Sequence, residues 1–158
     1  MIGLPLFTRI DQSALAGLIR DSTWLFAAIE SLHLLGLALL GGAVLLVDLR
    51  LLGLGLRQHP VADVAREAQP WLIAGLAVML PTGLLMFASE AVKCYENEAF
   101  WVKMTSLLLA IVFTFAIRRR VAAAASDSGS GRWAKLVAIV SLTLWSGVGW
   151  GGRWIGFS

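Results

Sequence analysis

The sequence predicts an all-α fold, an integral membrane four-helix bundle with a short N-terminal interfacial amphipathic helix. Of its 158 residues, 58% are hydrophobic and only 15% are charged, whereas about a quarter of the residues in a soluble domain are charged. The mean hydropathy is +0.79. The apolar residues fall in blocks of the length that spans a bilayer, roughly 20 residues. We therefore expect residues 1–158 to form a single membrane domain with short loops.

The chain starts with an amphipathic segment, residues 5–20, which we expect to lie at the membrane interface. In this segment, apolar residues such as Leu6 and Leu18 alternate with charged residues such as Arg9. No basic region followed by a long apolar core is present at the start, which argues against a cleaved signal peptide. The first membrane helix is predicted over residues 23–55.

The second membrane helix is predicted over residues 70–90, after a polar loop whose middle, residues 61–69, could form a short helix of its own. Pro70 suits the first turn of a helix, where its missing N–H has no partner to lose. Pro81 lies in mid-span and is expected to kink the helix. The third and fourth helices are predicted over two further blocks, with a flexible connection of small polar residues between them. These two blocks are residues 98–119 and 132–153.

The basic residues predict the orientation of the bundle, because loops rich in Lys and Arg face the cytoplasm. The side with the first and third connections holds eight of the 13 basic residues, and the other side holds five. Both chain termini are therefore expected outside. The net charge of +3 does not indicate a nucleic-acid partner, since the basic residues flank apolar blocks. The eight residues are Arg50, Arg57, Arg66, Arg118, Arg119, Arg120, Arg132 and Lys135.

Two ionisable residues, Glu30 and His33, interrupt the first membrane helix. Their spacing places them on neighbouring parts of one helix face, and an ionisable group within a membrane helix points to function. His33 lies about ten residues, or roughly 15 Å, past the outer start of the helix. The other three helices bring ionisable groups to the same outer zone, namely Glu90, Lys93, Lys103 and Arg153.

A haem b cofactor would account for this convergence. Haem needs an apolar slot and an axial nitrogen or sulfur ligand, and its propionates need nearby cations. We predict His33 as the axial metal ligand and Lys103 and Arg153 as the propionate partners. Glu30 is the candidate catalytic residue, either through a hydrogen bond to the imidazole or through proton transfer.

The histidine count limits how such a haem can be ligated. The only other histidine, His59, is 26 residues away in the first connection, so one subunit cannot supply two axial histidines. The remaining possibilities are a five-coordinate haem, ligation by His33 and Lys103, or a haem shared by two His33 residues at a dimer axis. Ligation by histidine and methionine is also open, with Met79, Met86 or Met104 as the second ligand.

Each of these features also has a purely structural explanation. His33 could form only an interhelical hydrogen bond, and Glu30 could pair with Lys103 or Arg153. Methionines often fill cores, and basic side chains near helix ends often extend to the interface. The spacing of Gly147 and Gly151 fits close helix packing, either inside one bundle or between subunits. The small bundle has much lateral surface, and for this reason we expect a homo-oligomer.

Four motifs carry a resemblance to a known group over residues 22–157: ESLHLLGLALLGG, MLPTGLLMF, AFWVKMTSLLLA and SGVGWGGRWIG. They resemble the CopD-like and HemJ-like small bacterial membrane proteins, and CYENEAFWVKM is similar to an uncharacterised four-helix subfamily of that group. The resemblance aligns His33 and Lys103 with the group's intramembrane histidine and helix-three lysine. It implies a bacterial inner-membrane protein, so the outer side expected for both termini would be the periplasm. The HemJ-like branch is linked to haem b and the CopD-like branch to copper.

The combined expectation is a membrane b-type haem protein. It would transfer electrons or oxidise a small lipophilic substrate near the outer leaflet, with membrane lipid around it and a quinone or a periplasmic redox protein as its electron partner. A copper-handling transporter that uses His33 and the methionines is the first alternative. A non-catalytic membrane scaffold whose charges merely pair is the second.

Overall fold

The computed structural model describes residues 4–125 and 131–155, and the regular structure in this part of the chain is all helical. Four helical spans are long and apolar enough to cross a membrane, so the predicted membrane four-helix fold is confirmed and the protein is a multi-pass membrane protein. The elements in chain order are α1 (Leu4–Asp11), α2 (Ala14–Asp21), α3 (Leu25–Leu52), α4 (Val61–Ser89), α5 (Ala91–Glu96), α6 (Glu98–Phe113), a π-helical turn (Thr114–Arg118), α7 (Arg119–Ala124) and α8 (Arg132–Ile155).

The amphipathic N-terminal segment forms two helices, α1 and α2, rather than one. Ser13 separates them, because its side chain accepts a hydrogen bond from the Ala16 N–H (3.3 Å) and caps α2. Ala16 and Ile19 are fully buried, and Arg20 donates to the carbonyl of Ser89 at 2.7 Å. The segment therefore packs against the end of the bundle instead of only lying in the lipid interface.

Helix α4 is longer than predicted, and the placement of Pro70 in its first turn was wrong. The region expected to form a separate short helix is continuous with the membrane span, so Pro70 and Pro81 both lie inside α4. Val61, Val64 and Ala68 are buried, and their packing holds the first turns of α4 in line with the rest. A membrane helix tolerates an internal proline where its neighbours accommodate the lost backbone hydrogen bond.

Helices α3 and α8 form the middle of the bundle. Helix α3 packs on α4 and on α8, and α8 packs in turn on α6. Helices α4 and α6 make almost no close backbone contact. They meet near one end through the stacked rings of Phe87 and Phe100, with centroids 5.5 Å apart. At the other end α4 contacts α7. Between these two contacts α4 and α6 are separated along the side of the bundle, and we call this separation the lateral gap.

Glycines allow the helices to approach closely at three places within the chain, and two of these belong to the predicted Gly147–Gly151 strip. A Cβ at Gly75 would lie 2.8 Å from the Leu40 Cβ, so α3 and α4 approach closely there. A Cβ at Gly151 would lie 3.0 Å from the Lys103 Cβ, and one at Gly147 would lie 3.0 Å from the Ser106 hydroxyl. Of the two uses considered for the Gly147–Gly151 strip, the structure therefore shows packing against α6 within the bundle.

Candidate functional site

The bundle has two chemically different ends. We call the end where α1, α2 and α5 pack the α1 end, and the end with the first and third connections the arginine end. His33 lies toward the α1 end on the inner face of α3, in line with the buried residues Ile29, Gly36 and Leu40. His59 lies in the connection at the arginine end, where its carbonyl accepts a hydrogen bond from Arg50 Nε at 2.7 Å. The two histidines are therefore at opposite ends, as expected.

The hydrogen bonds around His33 assign its tautomer. His33 Nδ1 lies 2.9 Å from Thr82 Oγ1 on α4. The Thr82 hydroxyl donates its only proton to the Val78 carbonyl at 2.7 Å, so it can only accept from His33. We therefore assign the proton of the neutral imidazole to Nδ1. This assignment leaves the lone pair of Nε2 available to a metal ion or a hydrogen-bond donor.

The sequence Pro81-Thr82-Gly83 shapes the part of α4 that faces the imidazole. Thr82 is 5% exposed and points toward α3. A Cβ at Gly83 would lie 3.2 Å from His33 Cε1, so a larger residue there would push the ring out of position. Sequence reasoning missed the role of Thr82. The signal was a hydroxyl next to a proline and a glycine in an otherwise apolar span.

A cavity of about 220 Å³ lies between α3, α4 and α6, and His33 is part of its wall. We call it the His33 slot. Among its lining residues, the imidazole of His33, the ammonium of Lys103 and the sulfurs of Met79 and Met104 are the side-chain groups other than carbon. The slot lies behind the lateral gap between α4 and α6. The remaining lining residues are Leu40, Leu76, Leu80, Gly83, Leu84, Phe87, Phe100, Leu107 and Val148.

Lys103 extends from α6 to this slot because the residue of α8 beside its side chain is a glycine, Gly152. A Cβ at Gly152 would lie 3.4 Å from Lys103 Nζ, so a glycine leaves space for the long side chain. The structure thus brings together His33, Lys103 and two of the three methionines considered as second ligands, Met79 and Met104.

The other predicted site residues do not line the slot. Glu30 is exposed, and no hydrogen bond or ion pair reaches its side chain from the described parts of the chain. The reason is helical geometry. Ile29 occupies the inward position one turn before His33, and Glu30 is rotated about 100° from Ile29. Met86 is half-buried on α4, and Arg153 is exposed in the last turn of α8.

Cys94 lies in α5, beyond the membrane span of α4, and is a buried free thiol. Burial raises the pKa of this thiol, and the nearby Glu90 carboxylate raises it further. A free thiol already titrates above neutral pH. In the metal-free protein Cys94 is therefore protonated at pH 7.

A buried ion pair at the arginine end was not predicted. Arg118 Nε lies 2.6 Å from Asp48 Oδ1, and the two side chains are 6% and 0% exposed. Arg118 also donates to the Val44 carbonyl at 3.0 Å. The buried Ser141 hydroxyl on α8 also interacts with the Asp48 carboxylate. The pair ties the third span to α3, and sequence reasoning had used Arg118 only as an orientation signal.

The π-helical turn explains how Arg118 reaches Asp48. Its wider backbone turn directs both Thr114 and Arg118 into the bundle, where they are 3% and 5% exposed. The Trp145 indole N–H donates to the Thr114 hydroxyl at 3.1 Å. Isolated π-helical turns occur often at functional sites, and this one holds the two polar residues that connect the third span to α3 and α8.

Residues 7–158 match a family model described as a family of unknown function, DUF6644. No curated protein and no solved structure matches the chain. The resemblance to CopD-like and HemJ-like proteins therefore stays a prediction. By the extent of the match, the chain belongs to the DUF6644 family.

Proposed function

We propose that this DUF6644 protein is a membrane b-type haem protein that transfers electrons or oxidises a small lipophilic substrate. The observation that carries the proposal is the state of His33. Its Nδ1–H is bonded to Thr82, and its ring is part of the wall of an apolar slot behind a lateral gap in the bundle. Histidines that bind metals commonly donate their second ring N–H in this way, which fixes the tautomer and the orientation of the ring.

The residues around the slot fit the chemistry of a haem. His33 would hold the iron through Nε2, and the Lys103 ammonium would pair with a propionate. The slot volume of about 220 Å³ is below the roughly 300–1,000 Å³ of ligand pockets. A porphyrin would therefore extend through the gap between α4 and α6. When bound, the haem supplies one-electron redox chemistry.

The protein's own residues would then have distinct tasks. Thr82 fixes the imidazole tautomer, and Gly83 leaves room for the ring. The leucines and phenylalanines of the slot exclude water. Met79, Met104 or Lys103, which share the slot with His33, could supply a further ligand to the iron. A second copy of the chain at the lateral gap would instead supply its own histidine, which would make the protein a homo-oligomer.

The proposed location is the bacterial inner membrane, with the arginine end in the cytoplasm and both termini in the periplasm. The excess of basic residues at the arginine end supports this orientation. It places the His33 slot in the outer half of the membrane. A quinone in the lipid or a periplasmic redox protein would then be able to exchange electrons there.

Copper handling is a second candidate, favoured by one observation. The imidazole of His33 and the thioethers of Met79 and Met104 line the same cavity. Imidazole and thioether groups suit copper, and thioethers select Cu(I). A single ion needs far less room than a porphyrin, so the slot would enclose it without any opening of the gap.

One experiment separates these proposals. The protein is purified in mild detergent from cells supplied with both haem and copper, and reduced-minus-oxidised visible spectra are recorded together with a metal analysis. We expect a haem absorption band that is absent from His33→Ala and present in His59→Ala, the matched control at the other end of the bundle. If the protein is colourless and contains stoichiometric copper that only His33→Ala loses, the ligand is copper and not haem. Neither chromophore nor metal in the wild-type protein would contradict both proposals and favour a scaffold.

A further inference from the structure

We propose that a second cavity, at the arginine end, binds the headgroup of an anionic membrane phospholipid. The cavity has a volume of about 320 Å³ and lies between α3, α4, the π-helical turn and α7. We call it the arginine cavity. It shares no lining residue with the His33 slot, so this proposal does not depend on haem or copper.

The charges around the arginine cavity favour an anion. Arg66, Arg118 and Arg119 line it, and no lining residue is acidic. Asp48 neutralises Arg118 from behind, and Asp63 lies 2.9 Å from Arg66. Three cations minus two carboxylates leave one positive charge. No ion pair reaches Arg119 from the described residues, so the local charge matches a phosphodiester with one negative charge.

The shape and polarity of the cavity favour a lipid over a free anion. Arg66 and Gln69 are near its polar end, and Leu72 lies deeper along α4, roughly 9 Å from Arg66 at 1.5 Å per residue. A phosphate at the arginines would thus continue into an apolar wall suited to an acyl chain. Small side chains create much of the space in the cavity. Ala43 and Ala68 lie on the membrane side of the arginines, and the other alanines of the lining are Ala62, Ala65, Ala122 and Ala123.

The buried ion pair gives this cavity a fixed wall. Arg118 bonds both to Asp48 and to the Val44 carbonyl, so its guanidinium does not need to be ordered by the ligand. A site that is already organised loses less conformational entropy on binding. Basic pockets between membrane helices are known binding sites for anionic lipid headgroups.

The test measures lipid binding by native mass spectrometry of the intact protein in detergent micelles. The protein is titrated with dioleoyl phosphatidylglycerol, which has one negative charge, and with dioleoyl phosphatidylcholine, which has none. Arg119→Gln is compared with Arg120→Gln, because both residues are exposed and only Arg119 lines the cavity. Ala123→Leu, which fills the cavity, is compared in the same way with Ala124→Leu outside it.

We expect one tightly bound phosphatidylglycerol per chain and weaker binding of phosphatidylcholine. Arg119→Gln should weaken phosphatidylglycerol binding about fivefold, the effect of one basic residue near an anionic headgroup. Ala123→Leu should weaken it as well, and both controls should bind as the wild type does. If Arg119→Gln and Arg120→Gln weaken phosphatidylglycerol binding equally, the effect comes from general surface charge and the proposal is overturned. If glycerol 3-phosphate, which lacks acyl chains, competes for the site as well as phosphatidylglycerol does, the lipid assignment is overturned.

Discussion

The His33 slot and the Asp48–Arg118 pair both place polar side chains among membrane helices, but these polar groups differ in how fully other protein groups compensate them. At the arginine end the guanidinium bonds to a carboxylate and to a backbone carbonyl, so the charge is compensated inside the protein. In the slot His33 Nδ1 bonds to the Thr82 hydroxyl, and the imidazole ring is part of the wall of an apolar cavity. The comparison indicates that the ion pair stabilises the fold, and it supports the proposal that His33 binds a ligand.

The largest expected effect on stability comes from breaking the buried ion pair. Asp48→Asn leaves Arg118 charged in a site that is 0–6% exposed, and such a loss typically destabilises a protein by about 3–5 kcal/mol. Thermal unfolding in detergent measures the change. The control is Asp63→Asn, which removes the exposed pair with Arg66 and should change stability by at most about 1 kcal/mol. Equal stability of the two variants would show that the buried pair does not hold the spans together.

A smaller loss is expected where α3 and α4 approach most closely. In Gly75→Ala the new Cβ would lie 2.8 Å from both the Cβ and the backbone nitrogen of Leu40, so the helices must separate. We expect a loss of about 1–3 kcal/mol in the same unfolding assay. Gly41→Ala is the matched control, because nothing lies within 4 Å of a Cβ there. An unchanged unfolding temperature for Gly75→Ala would contradict the close packing of these helices.

At the His33 slot the effect should appear in ligand affinity. Thr82→Val removes the acceptor for His33 Nδ1–H and keeps the side-chain shape, so we expect a 10- to 100-fold weaker affinity for the bound cofactor or metal, the usual effect of losing such a partner. Thr82→Ser keeps the hydroxyl and should bind nearly as well as the wild type. Titration of the purified apoprotein with haem or with Cu(I) gives both values. Equal affinities of the valine and serine variants would mean that Thr82 does not orient the histidine.

The smallest effect is expected from Glu30. It is exposed and contributes nothing to the wall of the slot, so Glu30→Gln should leave cofactor content unchanged. Its stability should change by no more than about 0.5 kcal/mol, as for most surface substitutions. The spectrum and the unfolding temperature of the same sample check both statements. A loss of cofactor in Glu30→Gln would restore the role that the sequence first suggested for this residue.

The sequence predicted the fold well because hydropathy determines which segments enter a membrane. It failed at Pro70, where Val61, Val64 and Ala68 are buried and keep the helix continuous through the proline. Packing of this kind depends on neighbouring helices, and a local helix-start rule does not include them.

The candidate site was predicted only in part, for a similar reason. Periodicity places His33 and Glu30 near each other on α3, but the helix packing decides that Ile29 faces inward and Glu30 outward. The Asp48–Arg118 pair joins residues 70 positions apart. No local pattern connects them, and the π-helical turn that brings Arg118 inward is not visible in a hydropathy profile.

The most direct test of His33 as the haem ligand is to remove its imidazole and to supply free imidazole in its place. His33→Gly is purified with and without free imidazole, and haem content is measured from the reduced-minus-oxidised spectrum. We predict that His33→Gly contains no haem and that added imidazole restores the absorption band, because the free ring occupies the position of the missing side chain and offers the same nitrogen. Haem retained by His33→Gly in the absence of imidazole would contradict the assignment of His33 as the axial ligand.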